Sequence, residues 1–256
     1  MEQRTPSPAE IARRRPPDDP RLDLVAGALD LQGGRIRFVH PRDAAALLYE
    51  EDVAADQAYP PYWAELWPSG IELAHAVSAH DWDGVAALEL GCGLGLPSVA
   101  AARAGARVLA TDRSADALAF AAVNAEQNGV AIDTAVCSWD DADALVARGP
   151  FGLVLAADVL YGQRNVDELA ALLPRLATDD GEVWIADPDR PLTGDFLAAA
   201  RTGWRSVETV PTRLPKVRLH RLAGPPPVSP GATPSGAAGS PPPPATARPP
   251  EPPPHR

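Results

Sequence analysis

Beginning at Val85, short uninterrupted apolar segments alternate with amphipathic segments of helical periodicity. The predicted strands span 85–90, 107–112, 131–137, 151–158 and 182–187. The predicted helices span 96–104, 114–128, a few residues after 140, 165–177 and 193–203. Parallel neighbours need long crossovers, and strands apolar on both sides need a helical layer on each face. The sequence therefore predicts an α/β fold with a mostly parallel sheet between two helical layers.

Two further strand-like segments, 205–214 and 216–224, follow the last predicted helix. A tight connection at Leu214 and Pro215 joins the two segments. A connection this short can only join antiparallel neighbouring strands. The predicted sheet thus has seven strands and ends in an antiparallel hairpin. Upstream, 29–41 predicts two short extended pieces around a glycine pair, and 42–52 predicts a short helix or turn.

The composition of the two ends differs from that of the middle. Residues 224–256 are mostly Pro, Gly, Ala and Ser, and residues 1–20 are rich in proline and arginine. Such segments bury too little apolar surface to offset the entropy of ordering, so we predict a disordered arm over 1–20 and a disordered tail over 224–256. The intervening 21–223, roughly 200 residues, is predicted to be one domain with one core.

The net charge of −11 belongs to the central segment, because charges at both ends nearly balance. An acidic surface repels phosphate backbones, which argues against nucleic acid as a partner and favours a basic peptide or a neutral small molecule. An acidic core that merely maintains solubility is the alternative. The oligomeric state does not follow from the sequence.

Only two cysteines, Cys92 and Cys137, occur, too few for a disulfide framework in a chain of this size. The first residues show no apolar signal region, and no run approaches the roughly 18 apolar residues of a membrane span. We therefore expect a cytoplasmic protein with no membrane association. The histidines lack metal-ligand spacing and no Ser-His-Asp set is evident, so we expect neither a metal nor a covalent intermediate.

A glycine-rich turn, GCGLG, directly follows the strand that ends in LEL. Gly91, Gly93 and Gly95 remove side chains that would block a ligand at the carboxyl edge of the sheet, and Cys92 between them is also small. Asp112 ends the next strand, about 20 residues after the turn, where a carboxylate can accept hydrogen bonds from ribose hydroxyls. The spacing predicts a binding site for a nucleoside cofactor.

The identity of that cofactor depends on the residues around the turn. A pyrophosphate-binding loop has its third glycine at the sixth position, where this chain has Leu96. Glu89, at the end of the preceding strand, would repel a diphosphate but can meet the charged amino-acid end of a sulfonium cofactor, directly or through water. The loop favours S-adenosylmethionine over NAD; the remaining alternatives are an NAD-dependent oxidoreductase and a tight turn without a ligand.

The chain resembles the seven-β-strand, or class I, S-adenosylmethionine-dependent methyltransferases, and within them the lysine and nicotinamide-type N-methyltransferases. The resemblance covers residues from about 29 to 224 and rests on YWAELWPSGIELA, ELGCGLGLPSVAAARAGARVLATDRS and the D-x-x-Y run from Asp158 to Tyr161. It implies a doubly wound, Rossmann-like sheet. It also implies methyl transfer to an amine.

The resemblance implies roles for the cofactor site. A tryptophan of YWAELWPSGIELA, the pre-sheet block (residues 62–74), would line the pocket; by position this is Trp67, with Trp63 as a neighbouring candidate. Gly91 and Gly93 would contact the methionine portion of S-adenosylmethionine, and Asp112 would bind the ribose.

The remaining implied roles lie after the third and fourth strands of the alternation. Trp139 matches a family position that packs on the adenine, and a flat indole suits stacking on a purine. Ala157 would offer backbone contact near the sulfonium, beside Asp158 and Tyr161. For Trp67 and Trp139 the alternative is ordinary core packing.

Other conspicuous residues are interpreted as structural. Trp82, Trp184 and Trp204 have no motif context. Asn124 and Asn128 are expected to serve helix packing and termination rather than ligand binding.

For catalysis, Asp158 is predicted to hold the acceptor ammonium by a charge-assisted hydrogen bond, and Tyr161 to form one wall of the site. The alternative for Asp158 is capping of the following helix. The sequence and the resemblance favour a protein lysine as acceptor. A small nicotinamide-like amine remains the rival, and a non-catalytic cofactor-binding module is a further alternative.

Overall fold

The computed structural model describes residues 23–44, 61–139 and 142–226. The predicted arm over 1–20, most of the predicted helix or turn over 42–52, and the tail beyond 226 lie outside these ranges. The described residues begin with an antiparallel hairpin and continue as a strand and helix alternation. The strands are β1 (Leu24–Leu31), β2 (Gly34–Pro41), β3 (Ala86–Leu90), β4 (Arg107–Asp112), β5 (Asp133–Val136), β6 (Phe151–Ala157), β7 (Ala177–Asp187), β8 (Ser206–Pro211) and β9 (Arg218–Ala223).

The helices lie between these strands. They are α1 (Pro68–Ser78), α2 (Leu96–Arg103), α3 (Ala115–Gln127), α4 (Ala142–Val146), α5 (Gln163–Leu176) and α6 (Thr193–Ala200). A short 3-10 turn, Tyr62–Ala64, precedes α1.

The sheet has seven strands in the order β5-β4-β3-β6-β7-β9-β8. The first five are mutually parallel, and β9 pairs antiparallel with both β7 and β8. The strand order reverses at β3, so the loops after β3, β4 and β6 meet at one carboxyl edge, where a doubly wound sheet holds its ligand. The predicted mostly parallel, seven-stranded sheet with an antiparallel terminal hairpin is confirmed.

The core is divided into two layers by the sheet. Leu153 and Leu155 of β6 belong to a cluster with α1, α2 and α3, whereas Val154 and Ala156 belong to a cluster with α5 and α6. Successive side chains of a strand point to opposite faces, so one strand supplies both clusters. Helices cover both faces, as predicted.

The hairpin of β1 and β2 forms a separate two-stranded sheet with Gln32 and Gly33 at its turn. Two asparagines of α3 attach it to the main domain. Asn124 accepts from the Val39 N–H at 2.8 Å and donates to the Val39 carbonyl at 3.3 Å, and Asn128 exchanges the same pair of bonds with Arg37. The two amides thus act as a neighbouring strand for β2. Their predicted role in packing is confirmed, by a contact that sequence alone does not reveal.

Several strand boundaries differ from the sequence prediction by one to five residues. The first strand of the hairpin begins at Leu24, five residues before the predicted start, because small residues within LVAGALDL weaken its alternation. β5 is confined to Asp133–Val136 at the edge of the sheet. β7 begins at Ala177, directly after α5, rather than at residue 182. Within the described ranges, every helix is too short or too polar to cross a bilayer.

Candidate functional site

The turn between β3 and α2 is built on three glycines with left-handed backbone angles, at φ 65°, 50° and 74° for Gly91, Gly93 and Gly95. A Cβ on Gly95 would lie 2.7 Å from the Cβ of Ala121, and one on Gly93 would lie 3.0 Å from the Trp63 carbonyl oxygen. Any larger residue at these two positions would displace α3 or the pre-sheet block. The turn is therefore packed closely against α3 and the pre-sheet block.

Asp112 is buried at the end of β4 beside this turn. Its Oδ2 accepts from the Gly93 N–H at 3.0 Å, and its Oδ1 accepts from the Ser114 N–H at 2.9 Å. Burial raises the pKa of this carboxyl, and the backbone donors partly oppose the rise. Each carboxylate oxygen has two acceptor sites, so both keep capacity for a hydroxyl donor. The structure brings Asp112 and the glycine turn together, as the 20-residue spacing predicts.

Glu89 is buried beneath the same turn. Its Oε2 accepts from the Ser98 N–H at 2.9 Å and from the Ser98 hydroxyl at 2.5 Å, in the first turn of α2. Loss of solvation raises the pKa of Glu89 to about 8, and the bonds from Ser98 oppose the rise. Glu89 thus ties β3 to the helix that follows the loop. Its contact with a cofactor stays a prediction.

The two tryptophans of the pre-sheet block differ in their contacts. The Trp63 ring packs on Phe120 with a centroid separation of 5.4 Å, and its carbonyl lies against Gly93. Trp67 precedes α1, donates its indole N–H to the Tyr62 carbonyl at 2.8 Å and packs edge-on against the Tyr62 ring. Contact with the glycine turn is therefore seen for Trp63. The role of Trp67 in the pocket remains a prediction.

Trp139 lies over the opposite side of the turn. A Cβ on Gly91 would lie 3.6 Å from Cζ2 of Trp139 and 3.8 Å from Val159, the residue after Asp158. The indole and the loop after β6 therefore border the same space above Gly91. A flat ring near Gly91 and a carboxylate on the Gly93 N–H suit a nucleoside. Cys92 is buried behind the loop, and burial raises its pKa well above the ordinary thiol value.

The loop after β6 carries the second half of the site. Ala157 ends β6, and Asp158 takes a left-handed φ of 58° while its N–H donates to the Ala186 carbonyl at 3.0 Å. The next helix begins at Gln163 after Gly162, without a side-chain cap. The alternative role of Asp158 as a helix cap is therefore wrong. Tyr161 is 59% exposed and stands at the surface of this loop.

Asp158 has an ion-pair partner that the sequence pattern does not indicate. Its Oδ1 accepts from Nη2 of Arg190 at 2.7 Å, whereas its Oδ2 is buried and has no hydrogen-bond partner among the described residues. Arg190 belongs to the loop after β7. Asp187, which ends β7, accepts from the Arg190 N–H at 2.8 Å and from the Thr193 hydroxyl at 2.7 Å.

The sequence offers a signal for Asp187, because this residue ends the predicted strand 182–187. It ends the strand that pairs with β6, and Ala157 lies opposite Ala186, so Asp158 and Asp187 emerge side by side at the carboxyl edge. Nothing comparable indicated Arg190, because its position depends on the turn between β7 and α6.

One cavity lies away from the carboxyl edge. A cavity of about 610 Å³ lies between the β1–β2 turn and the carboxyl ends of α1 and α2, and none of the predicted site residues lines it. Within the described part of the chain, no three or more His, Cys, Asp or Glu side chains are grouped as a metal site.

Residues 50–196 match the lysine methyltransferase family. The chain is 32% identical over 130 residues to "Protein N-lysine methyltransferase METTL21A" of Danio rerio, covering 48% of this chain and 59% of that protein. It is 34% identical over 138 residues to "Electron transfer flavoprotein beta subunit lysine methyltransferase" of Danio rerio, covering 51% of each. The chain therefore spans only between half and three fifths of these relatives.

Among solved structures, the chain is similar to the "T. Thermophilus 16S rRNA N2 G1207 methyltransferase (RsmC) in complex with AdoMet and Guanosine". The TM-score is 0.59 at 13% identity, over 78% of this chain and 50% of that one. At this identity the likeness shows a shared fold.

Proposed function

Because the chain belongs to the lysine methyltransferase family, we propose that it transfers a methyl group from S-adenosylmethionine to the side-chain amine of a protein lysine. The match confirms the resemblance predicted from the pre-sheet block, the glycine turn and the D-x-x-Y run. It also confirms S-adenosylmethionine as the cofactor. The two relatives reported above are named as lysine methyltransferases, which supports a protein acceptor over a small heterocyclic amine.

The cofactor would occupy the space bordered by Gly91, Trp139 and the loop after β6. When bound, S-adenosylmethionine supplies a methyl group already activated by its positive sulfur. Gly93 and Gly91 would offer backbone to the methionine portion, Asp112 would accept from the ribose, and Trp139 would pack on the adenine. The protein's own task is to hold the acceptor in line and exclude water.

The observation that carries the proposal is Oδ2 of Asp158, which is buried and has no hydrogen-bond partner among the described residues, while the next residue, Val159, borders Gly91. A lysine amine has a reference pKa near 10.4, so removing its proton at pH 7 costs roughly 4 to 5 kcal/mol. A carboxylate oxygen that lacks a partner can accept a hydrogen bond from the ammonium and orient it. Tyr161, exposed on the same loop, would form a wall of the acceptor channel.

The acidic charge of the domain supports the same acceptor. A net charge of −11 attracts basic peptide segments and disfavours nucleic acid. We also propose a cytoplasmic location, supported by the free thiols of Cys92 and Cys137.

The test is methyl incorporation from labelled S-adenosylmethionine, with cell extract in one reaction and a metabolite pool in another. We expect label in a protein band, and methyl-lysine in that band by mass spectrometry. Label only in a small amine would support the rival acceptor. No label in either pool, with the cofactor bound, would support the non-catalytic module.

A further inference from the structure

Two buried carboxylates share one guanidinium at the carboxyl edge of the sheet. Oδ1 of Asp158 accepts a hydrogen bond from Nη2 of Arg190 at 2.7 Å, and Nε of Arg190 lies 3.8 Å from Oδ2 of Asp187. The side chains are 10% exposed for Asp158, 0% for Asp187 and 31% for Arg190. With both carboxylates ionised, this cluster of three carries one net negative charge.

The hydrogen bonds of the cluster are incomplete. Oδ2 of Asp158, Oδ2 of Asp187 and Nε of Arg190 are buried, and none has a hydrogen-bond partner in the described ranges. Bare carboxylate oxygens in a buried site are costly unless a donor reaches them. A cationic hydrogen-bond donor would suit these oxygens best, because it would also neutralise the remaining negative charge of the cluster.

Arg190 is itself held in place by backbone and side-chain contacts. Its N–H donates to Asp187 Oδ1, which also accepts from Thr193 in the first turn of α6. Asp189, the preceding residue, has a left-handed φ of 63°. The guanidinium is therefore presented to Asp158 by a fixed turn rather than by a freely moving surface side chain.

We propose that Arg190 is a positioning residue: by holding Oδ1 of Asp158 it leaves Oδ2 available to the acceptor ammonium. The inference rests on the proposed function for the identity of the acceptor. It assigns to Arg190 a role in orientation, while Asp158 touches the substrate.

Other charged groups surround the cluster and bear on any pH measurement. His220 of β9 bonds the Thr209 hydroxyl, and burial lowers its pKa. Asp187, Asp189, Arg201 and Arg218 all act on His220, so they belong to the same charged neighbourhood. Tyr161 follows Asp158 on its own loop. All of these remain unchanged in the variants below, so differences between variants report on Arg190.

The test uses the full chain and two adenosine probes. Each carries a six-carbon chain on its 5′ position, ending in a primary amine in one probe and in a methyl group in its twin. Calorimetry should show the wild type preferring the amine probe by about tenfold or more, the size expected for a charge-assisted hydrogen bond. Asp158→Asn should abolish the preference. Arg190→Gln should keep it, because the cluster becomes more negative.

Turnover separates positioning from mere stability. With the protein acceptor found by labelling, Arg190→Gln should lower kcat roughly 10- to 100-fold through misplacement while KM does not rise. Arg190→Lys should recover part of kcat. Arg175→Gln is the matched control, since Arg175 is 29% exposed and pairs with Asp143 at 2.5 Å, and should match the wild type.

An unchanged kcat in Arg190→Gln would overturn the inference. So would loss of the amine preference in that variant together with a lower Tm and no rescue by lysine, which would indicate a structural ion pair. If the wild type methylates protein but binds both probes equally, the inference fails and the proposed function stands. If it prefers the amine probe, with that preference kept in Arg190→Gln, yet labels no protein, the proposed function fails and the charge selection stands.

Discussion

Asp158 holds a backbone conformation that non-glycine residues seldom adopt, at a cost on the order of 1 kcal/mol or more. The hydrogen bond from its N–H to the Ala186 carbonyl and the ion pair with Arg190 hold Asp158 in this conformation. Asp158 directly follows β6, and its neighbour Val159 borders Gly91 of the glycine turn. We infer that the conformation is retained because it orients the carboxyl.

Replacing Asp158 with asparagine tests that carboxyl directly. We expect kcat to fall by about 100-fold or more, as for loss of a proton-handling group, with cofactor affinity nearly unchanged. Rates from labelled cofactor and calorimetry with S-adenosylhomocysteine measure the two quantities. Asp143→Asn, at an exposed ion-paired aspartate, is the control. Unchanged methyl transfer in Asp158→Asn would show that another group orients the acceptor.

Glu89 gives the domain a pH-dependent stability. Its pKa is about 8 in the folded protein against 4.5 for the free side chain, so between these values the folded state keeps a proton that the unfolded state has lost. The free energy of unfolding should therefore fall as pH rises through this window, by at most about 1.4 kcal/mol per pH unit from this group.

Glu89→Gln should remove that slope, since the amide oxygen can still accept from Ser98. Urea unfolding at several pH values between 5 and 8 measures it. Relative to the wild type, the variant should gain stability as pH rises. Burial also raises the pKa of Asp112, but this carboxyl is present in both proteins, so its effect on the difference between them largely cancels. Parallel curves for wild type and variant would contradict this account, and exposed Glu126→Gln is the control.

Sequence could predict the site residues that end strands and could not predict their partners. The glycine turn, Asp112 and Asp158 follow from the strand pattern, because parallel strands end at one edge. Arg190 reaches Asp158 because of the conformation of the turn between β7 and α6. Ser98 reaches Glu89 because it lies in the first turn of α2. Their pairing depends on tertiary geometry that periodicity does not contain.

At the scale of elements, the attachment of the β1–β2 hairpin depends on α3. Asn124 also donates to the Leu94 carbonyl at 2.9 Å, so one side chain joins the hairpin to the glycine turn. Residues four apart on a helix face the same way, which lets Asn124 and Asn128 meet alternate residues of β2. The sequence predicted two short extended pieces and the helix, but their contact is made by amides rather than by an apolar stripe.

Asn124→Ala should cost about 2 to 4 kcal/mol of unfolding free energy, because it leaves buried groups of Val39 and Leu94 without partners. Urea unfolding gives the stability. Calorimetry should also show weaker cofactor binding, since the Leu94 tie is lost. Gln127→Ala, at an exposed site of the same helix, should change neither. A stable Asn124→Ala variant would mean that water replaces the amide.

At the scale of the whole molecule, sheet order and net charge act together. The parallel and antiparallel senses of the strands were predictable, because strand and helix alternation favours parallel strands and a short turn requires antiparallel β8 and β9. The placement of β9 between β7 and β8 required the structure. The acidic charge then acts on whatever approaches the carboxyl edge.

Charge attraction predicts a dependence of methylation on salt. For a basic protein acceptor, kcat/KM should fall as salt rises from about 0.01 M to about 0.15 M, because the screening length shrinks from about 30 Å to about 8 Å. Initial rates with labelled cofactor measure it, and cofactor affinity at each salt concentration is the control. A flat response would point to a neutral small acceptor.

The measurement closest to the central claim is calorimetric titration of the full chain with S-adenosylmethionine and, separately, with NAD. We predict heat and thermal protection from S-adenosylmethionine, weakened by Asp112→Asn, and none from NAD. Binding of NAD without binding of S-adenosylmethionine would contradict the account.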